Sequence, residues 1–248
     1  MDPIAFEVGP LTVRWYGICV ALGFLLGFGF VNWRAPRWGV DRDDVADVVF
    51  WAMLGGIGGA RLLYVVQNWQ QFQGHLWEIV RIDHGGLVYY GGFFGGGLAI
   101  ILACMIKSLS VLRMGDLFIM AVPLGHAVGR IGCFLNGCCY GWPWTGACSV
   151  QYPGRAYAVF PIQLVASAMN LAVFGCLLFA ARYVRVRGQV VAAYLTVYGL
   201  GRFFVEFGRG DYSRYVGPLT PAQVICAFLV PAGIVLFIVL GWGKDRGD

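Results

Sequence analysis

The chain has 248 residues, of which 59% are hydrophobic and only 12% are charged, and its formal net charge is +5. Soluble domains carry roughly 25% charged residues, so this composition excludes an ordinary soluble domain. The basic residues are dispersed between apolar segments, with no aromatic-plus-basic motif, and therefore do not indicate nucleic-acid binding. We predict an integral membrane protein with a single transmembrane domain over residues 1–248.

The first apolar segment follows a short stretch that contains acidic residues and a proline. This stretch lacks the basic region and cleavage site of a signal peptide, so we expect the segment to remain as a helix. Further apolar segments follow in succession. The predicted membrane spans cover residues 16–33, 45–66, 87–106, 115–131, 161–181, 189–206 and 220–242.

Basic residues outside these spans are unevenly distributed between the two sides of the membrane. Ten fall on the side of the C-terminus and five on the side of the N-terminus. The positive-inside rule then places the N-terminus outside and the C-terminus in the cytoplasm. The predicted fold class is an all-α polytopic membrane protein with about seven transmembrane helices.

Glycines cluster in the second and third spans. Gly55 and Gly59, like Gly125 and Gly129, are pairs of small residues four positions apart, which allow helices to approach closely in lipid. The denser run within residues 91–97 makes a helix harder to sustain. A re-entrant turn or a lipid headgroup pocket is an equally good interpretation of that run.

Arg61, Arg130 and Arg202 lie inside predicted spans, where an ionisable side chain is costly and usually faces a polar cavity. In the predicted orientation all three fall in the outer third of the membrane, level with Tyr16 and Tyr90. A guanidinium group binds phosphate through two hydrogen bonds and stays charged when desolvated, so this level suits a phospholipid headgroup. Pairing of Arg61 with a backbone carbonyl or an acid is the alternative.

The spacing of other polar residues places them beside these arginines. His126 and Arg130 share one face of the fourth span, and Tyr198, Arg202 and Glu206 share one face of the sixth. An ion pair within the helix is the alternative for Arg202, because Glu206 lies four residues away. Arg130 has no acid nearby in sequence, which favours a role in the site.

Several motifs occur in order along nearly the whole chain: VRWYG at 13–17, GGARLLY at 58–64, GRIGCFLNGCCYG at 129–141, PIQL at 161–164, YGLGRFFVEF with Arg209 and Asp211 from residue 198, and LTPAQ at 219–223. Their order and spacing resemble the motifs of bacterial prolipoprotein diacylglyceryl transferases. The resemblance implies a multi-pass enzyme of the bacterial inner membrane. Such an enzyme moves diacylglyceryl from phosphatidylglycerol to the lipobox cysteine thiol of a preprolipoprotein and releases glycerol phosphate.

On this resemblance Arg130 and Arg202 would hold the phosphate leaving group, and Tyr16 and Tyr198 would orient the headgroup. The catalytic candidates are Arg130, Arg202, Cys138 and His126, and the substrate-binding candidates are Tyr16, Arg61, Tyr90, Cys133, Asn136, Gly141, Tyr198 and Glu206. The expected partners are phosphatidylglycerol, the preprolipoprotein signal peptide and membrane lipids. No nucleic acid, metal or cofactor is predicted.

The chain departs from the family pattern where the usual candidate bases stand. Cys133 and Cys138 replace the asparagine and glutamate of the signature, and Tyr90 replaces a histidine before the Gly-Gly pair. His126 or His84 could act as the base instead. The departures are typical of a divergent branch with an altered acceptor.

Cys133, Cys138, Cys139 and Cys148 lie near the predicted outer face, where disulfides are permitted. A structural bridge from Cys148 to Cys133 or Cys138 is one interpretation. Metal ligation has less support, because the C-x4-C-C spacing matches no common zinc pattern. In a third interpretation Arg130 lowers the pKa of Cys138, which then serves as base or transient nucleophile.

Three other functions stay open beside the transferase. One is a paralogous transferase that uses the same lipid site with another acceptor. A second is a membrane thiol–disulfide oxidoreductase that uses the vicinal cysteines. A third is a non-catalytic lipid-binding membrane protein that keeps the arginines without a base.

Overall fold

The computed structural model describes residues 3–9, 11–81, 85–184, 186–211 and 218–242. The long helices in these ranges are α1 Trp15–Arg34, α2 Arg42–Gln67, α4 Tyr89–Ile106, α5 Val111–Leu135, α6 Ile162–Ala180, α7 Gln189–Glu206 and α8 Pro221–Trp242. A short helix, α3, covers Trp69–Phe72, and two 3₁₀ turns cover Ala35–Trp38 and Leu76–Val80. Each long helix coincides with a predicted apolar segment, and this confirms the helical reading of those segments.

Several of these helices have the length and composition to cross a membrane. In the described part of the chain five do so: residues 15–38, 42–67, 111–135, 162–180 and 221–242. The apolar helix α4 is shorter, and α7 carries charged residues within its 18 positions. The chain is thus a mostly helical, polytopic membrane protein, while seven spans and their orientation stay predictions.

A small β-hairpin that the sequence analysis did not predict precedes α1. Strand β1 (Ile4–Val8) pairs antiparallel with β2 (Leu11–Arg14), with Phe6 opposite Val13. Gly9 has a φ of 58° at the turn, a conformation that glycine adopts without steric cost. Because β2 runs directly into α1, the hairpin fixes the position of the first helical turn.

The chain divides into two compact units, which are described separately. One unit comprises Met1–Val31 and Gly115–Asp248 and contains the hairpin, α1 and α5 to α8. The other comprises Asn32–Met114 and contains α2, α3 and α4.

In the unit of residues 32–114, α2 and α4 pack together along a line of glycines. A Cβ atom on Gly55 would lie 2.7 Å from the carbonyl oxygen of Gly95, and one on Gly59 would lie 2.9 Å from the Cα of Gly95. The backbones therefore approach as closely as small residues allow. The run at residues 91–97 lies in regular helix, and the re-entrant turn considered for it is wrong because the glycines serve this contact.

We expect Gly59→Ala to destabilise this unit, because the added methyl group meets the backbone of α4. The cost should be about 1–3 kcal/mol, as for overpacked cores. Gly58 provides the matched control on the same helix, since a Cβ there meets nothing within 4 Å. Thermal unfolding of both variants in detergent measures the difference. Equal melting temperatures would contradict the close packing of α2 on α4.

In the other unit, α5 is tied to its neighbours by polar and glycine contacts. A Cβ on Gly23 of α1 would lie 2.9 Å from the carbonyl oxygen of Gly125 on α5. Ser167 on α6 donates a 2.8 Å hydrogen bond to the carbonyl of Ala127. The buried carboxylate of Asp116 accepts hydrogen bonds from two backbone N–H groups at the start of α7, at 2.5 and 2.9 Å, and so satisfies donors that the helix leaves unpaired.

Candidate functional site

The signature loop begins where α5 ends. The N–H of Gly137 bonds to the carbonyl of Phe134 at 3.3 Å, and the N–H of Cys138 bonds to the carbonyl of Cys133 at 3.2 Å. Together with a φ of 70° at Gly137, these bonds form the Schellman motif that ends many helices. This motif brings the residue after the glycine back against the last turn of the helix. Here that pair of residues is Cys133 and Cys138.

Three thiols therefore form a cluster at the end of α5, which we call the thiol cluster. The Sγ atoms of Cys133, Cys138 and Cys139 all lie within 4.8 Å of one another, and each residue is partly buried. Cys139 has a φ of 59°, which is uncommon outside glycine and turns its side chain toward the other two. All eight cysteines lie in the described ranges and are free thiols, so the disulfide considered for Cys148 is wrong.

The pKa values within the loop differ from the sequence-based expectation. Burial raises the pKa of the Cys138 thiol, and the neighbouring Cys139 adds to this effect. The expectation that Arg130 lowers the pKa of Cys138 is therefore wrong. A hydrogen bond with Cys133 lowers the pKa of Cys139 to about 5 against the opposing effect of burial, with Arg209 and Arg130 contributing.

The loop after the cluster is held by contacts from other elements. Gln163, at the start of α6, donates a 2.8 Å hydrogen bond to the carbonyl of Cys138, and the side chain of Asn136 is hydrogen-bonded to the Cys138 thiol. A Cβ on Gly141 would lie 2.7 Å from the carbonyl oxygen of Phe160 and 2.8 Å from that of Gly208. Gly141 is thus required for close packing, and a substrate-binding role is not needed to explain it.

An ion network closes the end of α7. The buried carboxylate of Glu206 pairs with Arg202 at 2.6 Å and accepts a 3.0 Å hydrogen bond from the hydroxyl of Thr220. Arg209 grips Asp211 through two N–H donors, at 3.0 and 2.9 Å. The ion pair considered for Arg202 is confirmed, and the two arginines and two acids balance in charge.

Arg61 lies in the unit of residues 32–114, and its guanidinium group donates hydrogen bonds to backbone carbonyls. It donates to the carbonyls of Glu78 and Ile79 at 2.5 and 2.9 Å, and to those of Gly85 and Gly86 at 2.7 and 3.2 Å. The side chain is 7% exposed. The backbone-carbonyl alternative for Arg61 is confirmed, because the guanidinium holds the carbonyls on either side of residues 82–84. Its role in substrate binding stays a prediction.

Arg130 differs from Arg61, Arg202 and Arg209. Among the described residues it has no hydrogen bond or ion-pair partner, whereas Arg61, Arg202 and Arg209 are paired as described above. It is partly buried on α5, one turn from Cys133. Its charge acts on the tyrosine at the start of α1 and on the thiol cluster, so these groups are close in space. Arg130 is the guanidinium best placed to receive an anionic ligand.

Aromatic residues and a histidine line the same end of this unit. The ring of His126 lies 5.9 Å from that of Tyr198, which stacks on Tyr194 at 5.0 Å. His126 is exposed, and the charges of Arg130 and Arg202 both act on it. Tyr198 on α7 thus lies beside His126 on α5.

The remaining candidates divide between the two units. Tyr16, in the first turn of α1, meets α5 at Gly132, where an added Cβ would lie 3.4 Å from its ring. Tyr90 lies at the start of α4 in the unit of residues 32–114 and is 61% exposed. His84 lies outside the described residues.

Sequence reasoning missed three contributors to this site. Cys139 was grouped with its neighbours without a role of its own, although the vicinal pair is visible in the sequence. Arg209 and Gln163 stand in quoted motifs, but their partners, Asp211 and the carbonyl of Cys138, are set by the fold. Only the i, i+2 spacing of Arg209 and Asp211 was a usable signal.

Comparison with known proteins gives one consistent result. The profile of the prolipoprotein diacylglyceryl transferase family matches residues 3–239. The chain is 36% identical over 240 residues to the phosphatidylglycerol–prolipoprotein diacylglyceryl transferase of Clostridioides difficile (strain 630), covering 97% of this chain and 96% of that protein. Proteins of the same name from Clostridium tetani and Staphylococcus xylosus are 34% and 32% identical, each over 96% of this chain, and the matches cover 97% and 89% of those proteins.

Proposed function

Because the chain belongs to the prolipoprotein diacylglyceryl transferase family, we propose that it transfers diacylglyceryl from phosphatidylglycerol to the cysteine thiol of a prolipoprotein. The match extends over nearly the whole chain and carries this proposal. The enzyme acts in the membrane, and we place it in the bacterial inner membrane.

The reaction replaces one bond at a glyceryl carbon by another. The acceptor thiol loses its proton, and its sulfur forms a bond to the glyceryl carbon that carries the phosphate. The bond from that carbon to the phosphate oxygen breaks, and its electron pair leaves with glycerol phosphate. The site therefore has two tasks, which are to stabilise the leaving phosphate and to promote loss of the thiol proton.

Arg130 performs the first task in this proposal. Its guanidinium is unpaired among the described residues, and the planar fork of N–H groups matches two phosphate oxygens. Arg202 contributes positive charge from α7 while Glu206 holds its position, at 2.6 Å. Tyr16 and Tyr198 flank the arginines and orient the headgroup, with His126 beside Tyr198.

The thiol cluster performs the second task. Cys138 was chosen from the sequence because it stands where relatives carry a glutamate, and the structure adds two sulfurs within 4.8 Å of it. We assign activation of the acceptor thiol to the cluster, with Asn136 and Gln163 as residues that position Cys138. His126 is the alternative proton acceptor if the thiols prove dispensable.

Expression in a bacterium depleted of its own diacylglyceryl transferase tests the function in cells. We expect incorporation of labelled lipid into a reporter lipoprotein to be restored by this chain and not by its Arg130→Ala variant. Membrane fractions establish that both proteins are present in equal amounts. No incorporation despite normal membrane levels would count against the proposed acceptor.

The orientation is a further prediction, based on the ten-to-five distribution of basic residues. We expect the N-terminus and the loop at residues 132–160 to face outward and the C-terminus to face the cytoplasm. A reporter that works only in the cytoplasm should be active when it is fused after residue 248. If a reporter that works only outside the cytoplasm were active at that position, the predicted orientation would be wrong.

A further inference from the structure

We propose that Cys133, Cys138 and Cys139 bind a zinc ion whose fourth position takes up the acceptor thiol. The proposal rests on the transferase function proposed above, and it assigns the thiol-activating group of that site. It also goes against the sequence analysis, in which the C-x4-C-C spacing gave no reason to expect a metal.

The first support is geometric. Zinc–thiolate bonds of about 2.3 Å in a tetrahedral site place the sulfurs about 3.8 Å apart. The three Sγ atoms already lie within 4.8 Å of one another, so an ion would draw them together by about 1 Å at most. The unusual spacing is explained by the Schellman motif, which returns Cys138 to the side of Cys133.

The second support is the way the cluster is held. The carbonyl of Cys138 is fixed by the buried side chain of Gln163 at 2.8 Å, and its thiol is hydrogen-bonded to Asn136. Metal ligands are commonly held by such secondary hydrogen bonds. The φ of 59° at Cys139 is a strained conformation for a side-chain-bearing residue, and it directs the third sulfur into the cluster.

The third support is the charge around the cluster. Three thiolates and one zinc ion carry a net charge of −1. The charges of Arg130 and Arg209 both act on Cys139, so cationic groups stand beside the excess negative charge.

The number of ligands indicates the role of the ion. Among the described residues no fourth cysteine, histidine or acid joins the three sulfurs. Structural zinc sites are closed by four protein ligands, whereas catalytic sites use three and keep one position open. Zinc is a favourable partner for sulfur, and a coordinated thiol is deprotonated. The open position therefore suits the thiol that the reaction must deprotonate.

The chemical step balances without an oxidant or reductant. The acceptor thiol binds zinc as thiolate and its proton passes to water. The sulfur then forms its bond to the glyceryl carbon, and the electron pair of the broken carbon–oxygen bond leaves with glycerol phosphate. The thioether product is a weaker ligand than the thiolate, so it departs and the position opens again.

Metal binding by the purified full-length protein in detergent tests the site. After treatment with chelator, incubation with zinc and removal of free ions, we expect elemental analysis to find about one zinc per chain. Cys133→Ser, Cys138→Ser and Cys139→Ser should each weaken zinc binding by more than about a hundredfold, since loss of an outer hydrogen bond alone costs 10–100-fold. Cys148→Ser is the matched control, because Cys148 is exposed and outside the cluster.

The unsubstituted protein provides a second measurement that does not depend on the folding of variants. Zinc should protect Cys133, Cys138 and Cys139 from alkylation while Cys148 stays reactive. Cobalt in place of zinc should give a thiolate charge-transfer absorption that changes when a lipobox peptide is added. A peptide with serine at the acceptor position should leave the spectrum unchanged.

The outcomes separate this proposal from the transferase function. Transfer of lipid by protein that binds no zinc would overturn the metal site and leave the function intact. A cobalt spectrum that does not change when the cysteine peptide is added would overturn the proposal that the acceptor thiol binds at the fourth position of the ion. Zinc binding with a peptide response but without lipid transfer would support the site and count against the function.

Discussion

We expect Arg130→Lys to reduce the rate of diacylglyceryl transfer by at least about a hundredfold, although the substitution keeps the positive charge. Removal of one well-placed donor to a developing anion costs a comparable factor in other enzymes. A lysine ammonium is a point charge that does not reproduce two parallel hydrogen bonds to phosphate. The measurement is the initial rate of transfer from phosphatidylglycerol to a lipobox peptide by protein purified in detergent.

Two further arginine variants serve as controls for this experiment. Arg182→Lys changes an exposed residue beyond the end of α6 and should leave the rate unchanged. Arg61→Lys should lower the melting temperature, because lysine cannot donate to all the carbonyls that Arg61 now holds. Full activity of Arg130→Lys would remove the argument that this residue grips the phosphate.

The second large effect concerns the thiol cluster. We expect Cys138→Ser to lose about 10²–10⁴-fold in rate, the range in which proton-transfer groups contribute. Serine keeps the size of the side chain, but its hydroxyl is a poor proton acceptor and a poor zinc ligand. Cys148→Ser should retain full activity, since this thiol is exposed and outside the cluster. Cys138→Glu should recover part of the rate, because it restores the carboxylate of the family signature.

Substitution of Cys133 and Cys139 distinguishes a single thiolate base from a shared metal ion. A base formed by one thiolate would make only one of the three substitutions severe and leave activity in the other two variants. A shared ion makes all three substitutions severe and makes activity depend on zinc. Normal transfer by Cys138→Ser would exclude both versions and direct the search for the proton acceptor to His126 or His84.

The positions of the helices could be predicted from the sequence because they depend on local composition. A run of about 20 apolar residues must satisfy its own backbone hydrogen bonds in lipid, and helix is the simplest way to do so. The glycine run at residues 91–97 could not be interpreted in this way. Its effect depends on α2, because glycines on α2 leave room for the backbone of α4. Which two helices pack together in this way is decided by the fold.

The same distinction applies to the site. The sequence identified Arg130 through the cost of a charge in a span and the lack of an acid nearby, and it correctly gave the ion pair of Arg202 with Glu206 as an alternative. It gave a backbone carbonyl as one alternative partner of Arg61, but it did not identify which carbonyls, because they lie 17 to 25 positions further along the chain. The thiols were grouped from the sequence, but the approach of their three sulfurs was not predicted, because the C-x4-C-C spacing was compared with zinc motifs and not with the geometry of a helix end.

The most direct test of the transferase function is the mass of the acceptor peptide after reaction. Purified protein is incubated with phosphatidylglycerol of defined acyl chains and a peptide that carries a lipobox cysteine, and the products are analysed by mass spectrometry with fragmentation. The proposed function predicts a gain equal to one diacylglyceryl group on the cysteine sulfur, the release of glycerol phosphate, and no gain when serine replaces that cysteine. An unmodified peptide, or one that is only oxidised to a disulfide, would contradict it.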